Sequence, residues 1–181
     1  YMLYERHLAA PEPEVFETIK YETPNISGRM DNLRAAILRP QLGALAGQCR
    51  KWNARYDRIE EGLRGTPGLR IIQRDPRARP VGSSIQFLLL DWAADAIGDV
   101  LRRCAARGVE MKWFGAPEPV AFTSRYDSWR YAPSAKMPDS DRILAGIIDM
   151  RVPLTFSLED CDLIARIIRA EVGAVFQAEN P

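Results

Sequence analysis

Between Leu42 and Leu63 the apolar residues Leu42, Leu45, Cys49, Trp52, Tyr56, Ile59 and Leu63 follow one another at alternating spacings of three and four. An α-helix turns once in about 3.6 residues, so this spacing keeps the whole set on one face for about six turns. A strand, whose side chains alternate every second residue, cannot bury that set on one side. Leu33 and Ile37 extend the pattern toward the N-terminus, with Asp31 placed to cap the first turn and Gly65, Pro67 and Gly68 placed to end the helix. Pro40 lacks an amide donor and crowds the preceding turn, so a kink or a restart is expected there. The helix is too long for a small domain alone and is expected to bridge two domains or two subunits. On this reading the stripe Leu45/Cys49/Trp52/Tyr56 is core or interface rather than a ligand box.

After the helix the chain alternates. Leu69–Gln73 reads as a short strand and Ser83–Leu90 as a stronger, mostly buried one. Asp91 is placed to cap a helix over Trp92–Arg107 that turns Ile97, Val100, Leu101 and Cys104 inward and stops at Gly108. Val109–Trp113 reads as a further strand, and Gly115–Ser140 as a long loop rich in proline and aromatics. Asp141–Ile148 reads as a short helix and Arg151–Leu154 as a short extended piece. Ser157 with Asp160 forms a capping box opening a last amphipathic helix through Leu163, Ile164, Ile167, Ile168 and Val172. Residues 1–28, with Pro11, Pro13 and Pro24, read as an irregular lead-in. Helices and short strands in this order predict an α/β fold, a small sheet covered on one side by helices.

Charge excludes some partners. Lys+Arg number 25 against Asp+Glu 24, so no excess charge calls for nucleic acid or an anionic membrane. The longest apolar run, around Phe87–Leu90, is too short to span a bilayer. Cys49, Cys104 and Cys161 lie singly within helical patterns, an arrangement that fits neither a disulfide framework nor a metal site and suits a reducing cytoplasm. The opening Tyr1–His7 does not look like a natural start, and further sequence upstream is expected.

One stretch carries more. Asn25-Ile26-Ser27-Gly28-Arg29-Met30, followed by Leu33 and Ala35-Ala36, resembles the N-x-R-M…A-A segment of DegT/DnrJ/StrS-type aminotransferases. Gln41-Leu42-Gly43-Ala44-Leu45 and Ala54-Arg55-Tyr56 are similar to that family's subsequent Q-L-x-x-L and A-x-x-Y. Arg107-Gly108-Val109-Glu110, Met150-Arg151-Val152-Pro153-Leu154 and Ser157–Asp160 resemble its later segments, in order. The resemblance implies the small C-terminal domain of a fold-type-I enzyme dependent on pyridoxal 5'-phosphate (PLP). In that reading residues 1–30 are the tail end of the large PLP-binding domain, 31–65 the connecting helix, and 66–181 the small α/β domain. It further implies a homodimer with shared active sites, moving an amino group from a donor such as glutamate to a small keto substrate, often a nucleotide-linked sugar.

The family's cofactor lysine lies upstream of N-x-R-M, in a Ser/Lys context followed by glycines. None of Lys20, Lys51, Lys112 and Lys136 has that context, so the Schiff-base nucleophile is expected outside this chain, which alone is expected to be inactive. The resemblance places Ser27 where the family's asparagine reaches the partner's PLP phosphate; Asn25 is the other candidate donor, and Pro24–Gly28 as a plain turn is the competing reading. Arg29 suits a phosphate, a carboxylate or a structural ion pair equally. Lys112, Trp113, Arg125 and Tyr126 occupy the family's substrate-facing strand and loop, where cations and aromatics hold a carboxylate or phosphate and stack a ring; the other reading makes Trp113 and Phe114 core. The family's usual histidine is missing there, which separates this chain from the common nucleotide-sugar pattern. His7, the single histidine, reads as a rim or structural residue. Two alternatives stand beside the aminotransferase: a dehydratase of the same family, and a dimerisation module without catalysis.

Overall fold

The computed structural model describes residues 22, 30–117, 130, 133 and 135–179. Helix α1 (Asn32–Leu63) begins at the expected cap: a carboxylate oxygen of Asp31 accepts the amide of Arg34 at 2.8 Å, and the Arg34 side chain pairs with the same carboxylate. The helix runs unbroken through Pro40, so the expected restart does not occur. Proline removes one donor from the ladder, and here the surrounding turns are exposed, where water can meet the freed carbonyl.

Strands β1 (Arg70–Ile71) and β2 (Ser84–Leu88) follow, then helix α2 (Ala94–Ala106), strand β3 (Lys112–Trp113), helix α3 (Pro138–Gly146), strand β4 (Ile147–Arg151) and helix α4 (Leu158–Glu179). The four strands form one antiparallel sheet in the order β1-β2-β4-β3. The expected α/β layer is therefore present. Helix α1 packs its C-terminal half on α4, and α2 packs beside α4. Tyr56, Ile59 and Leu63 of α1 join Ile97, Val100 and Cys104 of α2, Cys161, Ile168 and Val172 of α4, and Ile85, Phe87, Ile148 and Met150 of the sheet in one core. The capping box at α4 closes as expected: Ser157 donates its amide to Asp160 at 2.8 Å, and Asp160 returns its amide to the Ser157 hydroxyl at 3.0 Å.

Three expectations are corrected. Asp91 does not cap α2, which starts at Ala94; it sits in the left-handed region with φ 64° and pairs bidentately with Arg142 at 2.8 and 2.6 Å. Aspartate tolerates that conformation better than most residues, and the turn it makes delays the helix. The helix expected over Asp141–Ile148 begins at Pro138 and ends at Gly146, with Ile147 and Ile148 already in a strand. That strand, β4, pairs with both β2 and β3, so one of the sheet's two inner strands ends where the piece expected at Arg151–Leu154 begins. The three cysteines are free. Among the described residues no helix is long and apolar enough to cross a membrane, and no His/Cys/Asp/Glu cluster suits a metal.

Candidate functional site

Side chains alternate across a strand, so the register sorts the sheet residues into two faces. Ile85 opposite Met150 and Phe87 opposite Ile148 point into the helix-covered core. The intervening residues Ser84, Gln86, Asp149, Arg151 and Lys112 lie on the other face, and none belongs to that core. Across three strands Gln86, Asp149 and Lys112 form a row: Gln86 is opposite Asp149, and Asp149 is opposite Lys112. All three are half-buried.

The Gln86 amide nitrogen donates to an Asp149 carboxylate oxygen at 2.5 Å and to the Ser84 hydroxyl at 2.9 Å. Asp149 is thus held by an amide, not by the cation beside it. Among the described residues Lys112 and Arg151 take part in no ion pair. A half-buried ammonium that closes no ion pair gains from an anion that reaches it. The row therefore offers an ammonium to a carboxylate or phosphate, with a carboxylate and a hydroxyl nearby for polar groups of the same ligand.

Lys112 and Trp113 are neighbours on β3 and so turn to opposite faces. Trp113 packs against the core, and its indole nitrogen donates to the carbonyl of Ala145 at 2.7 Å. Gly115 lies tight against both: a Cβ there would sit 2.6 Å from the Trp113 indole nitrogen and 2.7 Å from Ala145. Ser27, Asn25, Arg29, Arg125 and Tyr126 lie outside the described residues, as does His7. Arg130, 17 residues beyond β3 in the sequence, donates to Glu22 at 3.0 Å. Gln86 and Asp149 were not singled out from sequence, although a lone polar residue inside each of the apolar runs Ile85–Leu90 and Ile147–Met150 is the signal that marks them. A separate shallow hollow of about 610 Å³ lies on the outer side of α4, lined by Pro67, Arg166, Arg169 and Gly173, and shares no residue with the row.

PLP needs an amine for its aldehyde, walls for its ring and donors for its phosphate. Lys51 and Lys136 are exposed, Lys112 stands on an open sheet face, and the phosphate candidates lie outside the described residues. The described residues alone do not fit a complete cofactor site.

The sequence over residues 8–169 matches the DegT/DnrJ/EryC1/StrS aminotransferase family, and the chain belongs to that family. The solved structures agree at the level of fold. A 3-amino-5-hydroxybenzoic acid synthase superposes with a TM-score of 0.64 at 21% identity, over 91% of this chain and 48% of its own. An aminotransferase from Streptoalloteichus hindustanus gives 0.66 at 18%, over 91% and 46%. A DegT DnrJ EryC1 StrS aminotransferase from Brucella abortus gives 0.59 at 16%, over 89% and 43%. The chain thus spans less than half the length of these structures, and its fold is that of a sugar-aminotransferase-type PLP enzyme. No curated protein matches the sequence.

Proposed function

We infer that the chain is the C-terminal part of a PLP-dependent aminotransferase that takes an amino group, with glutamate as the expected donor, and delivers it to a small keto substrate. The observation that carries this reading is the family match over residues 8–169 in a chain that spans under half of the solved relatives. In this reading the cofactor lysine sits on the part not covered here, and Ser27, Asn25 and Arg29 meet the PLP phosphate across a homodimer. When bound, PLP supplies the electron sink that lets an amino group change partners. This chain's own contribution is binding and orientation: Lys112 holds an anionic group of the substrate, Asp149 and Ser84 accept and donate to its polar groups, and Gln86 fixes Asp149. Arg125 and Tyr126, which follow β3 in the sequence, complete the substrate contacts.

In the full polypeptide, Lys112→Ala removes a charge-assisted contact of about 1.5–3 kcal/mol, which is about 10–100-fold in KM for the keto substrate. Steady-state kinetics check this, and an unchanged KM contradicts the role. A full polypeptide with PLP bound that forms no 2-oxo acid from glutamate or any other amino donor contradicts the aminotransferase reading. Loss of water from a sugar substrate under the same conditions assigns the dehydratase instead.

A further inference from the structure

A second cation shares the open face of the sheet with Lys112. Arg151 lies on that face opposite Ser84, and its side chain, like that of Lys112, closes no ion pair among the described residues. Lys112 is opposite Asp149, and Asp149 stands two residues before Arg151 on β4, so the two cations are diagonal neighbours across β3 and β4. Diagonal neighbours on adjacent strands stand about 7–8 Å apart at the backbone, close enough for two long side chains to serve one ligand.

The order of charges along the face decides which anion fits. Asp149 stands between the cations, opposite one and two residues from the other, and the Gln86 amide holds its carboxylate at 2.5 Å. A compact anion gripped by both cations at once, such as a diphosphate, would lie over that carboxylate, and like charges brought together cost affinity. Two anionic groups set apart along the ligand each meet one cation and leave Asp149 to accept from a hydroxyl between them. The Ser84 hydroxyl, which already accepts from Gln86 at 2.9 Å, keeps its own proton to donate beside Arg151. Beyond Gln86 and Asp149 the next pair on this face is Leu88 and Ile147, so the polar patch ends there. We propose that Arg151 is the second anion-holding residue of this face, and that the keto substrate is a hydroxylated dianion whose charged groups stand several bonds apart. This rests on the reading of Lys112 as a substrate contact in a longer enzyme. It separates the substrate from a nucleotide-linked sugar, whose phosphates are adjacent.

Calorimetric titration of the full polypeptide, with PLP present, tests it against simple probes. Glutarate carries two carboxylates set apart by a short carbon chain, butyrate keeps one of them, and inorganic pyrophosphate holds its charges side by side. Glutarate is expected to bind at least about tenfold more tightly than butyrate or pyrophosphate. Arg151→Ala is expected to weaken glutarate about 10–100-fold and to leave butyrate within about twofold, since one cation remains for it. Arg151→Lys is expected to recover most of the preference, and circular dichroism checks that both variants keep the fold. Glutarate affinity unchanged in Arg151→Ala overturns the proposal, as does a wild type that does not prefer glutarate to butyrate. Pyrophosphate binding more tightly than glutarate assigns the face to a compact diphosphate and also overturns it. Formation of a 2-oxo acid from an amino donor is followed separately. Transfer without Arg151-dependent glutarate binding rejects the dianion site and keeps the aminotransferase; Arg151-dependent binding without transfer does the reverse.

Discussion

Arg55 commits its whole guanidinium to backbone carbonyls: Phe156 at 2.6 Å, Leu154 at 3.1 Å and Lys51 at 3.0 Å. It thereby ties α1 to the segment between β4 and α4, which the Val152 amide also anchors to the Ser83 carbonyl at 2.9 Å. Arg55→Ala strands those carbonyls and is expected to cost about 1–3 kcal/mol, read as a lower midpoint in urea with the m-value unchanged. Cys104 is fully buried, and desolvation, with Glu171 adding to it, pushes its thiol up to about 11 from an ordinary 9.0. A raised folded-state pKa leaves stability intact below the unfolded value and erodes it as pH rises. Stability is therefore expected to fall between about pH 9 and pH 11. Cys104→Ala should flatten that fall; a wild-type curve with no slope there contradicts the burial of the thiol. At this scale the sequence showed Lys112 as a candidate by charge and position. Its companions Gln86 and Asp149 stayed hidden because strand register, which no local pattern near them specifies, brings them together. Asp91 misled for the opposite reason: a good cap residue was used in a left-handed turn instead.

Elements with a long period were legible. The stripe of α1 and the capping box of α4 each repeat or pair within a few residues, so the chain alone defines them. Ser157→Ala removes the hydroxyl that receives the Asp160 amide, and about 0.5–2 kcal/mol of stability should go with it. Thermal unfolding checks this, and Ser157→Thr should recover most of the loss. The short elements were not legible. Strand β4 starts at Ile147, the residue after α3 ends, with no turn residue between them except the helical Gly146. Asp149 then breaks its apolar run, so only pairing on both sides makes it a strand. Pro40 shows that one missing donor is tolerated where the helix faces solvent.

At the scale of the molecule, one helix belongs to two environments. Its C-terminal half is built into a core with the sheet, α2 and α4, and its N-terminal half presents an apolar strip. An α/β layer of this kind, a half-length match to PLP aminotransferases and an open row of polar side chains all suit a part that shapes a substrate site whose cofactor amine comes from elsewhere. The claim that the amine lies outside this chain is open to direct measurement. The chain is mixed with equimolar PLP, reduced with borohydride and mapped by peptide mass spectrometry. No lysine is expected to carry the pyridoxyl label above the level of the exposed amines. A stoichiometric label on one of Lys20, Lys51, Lys112 or Lys136 would contradict the account and place the cofactor site within this chain.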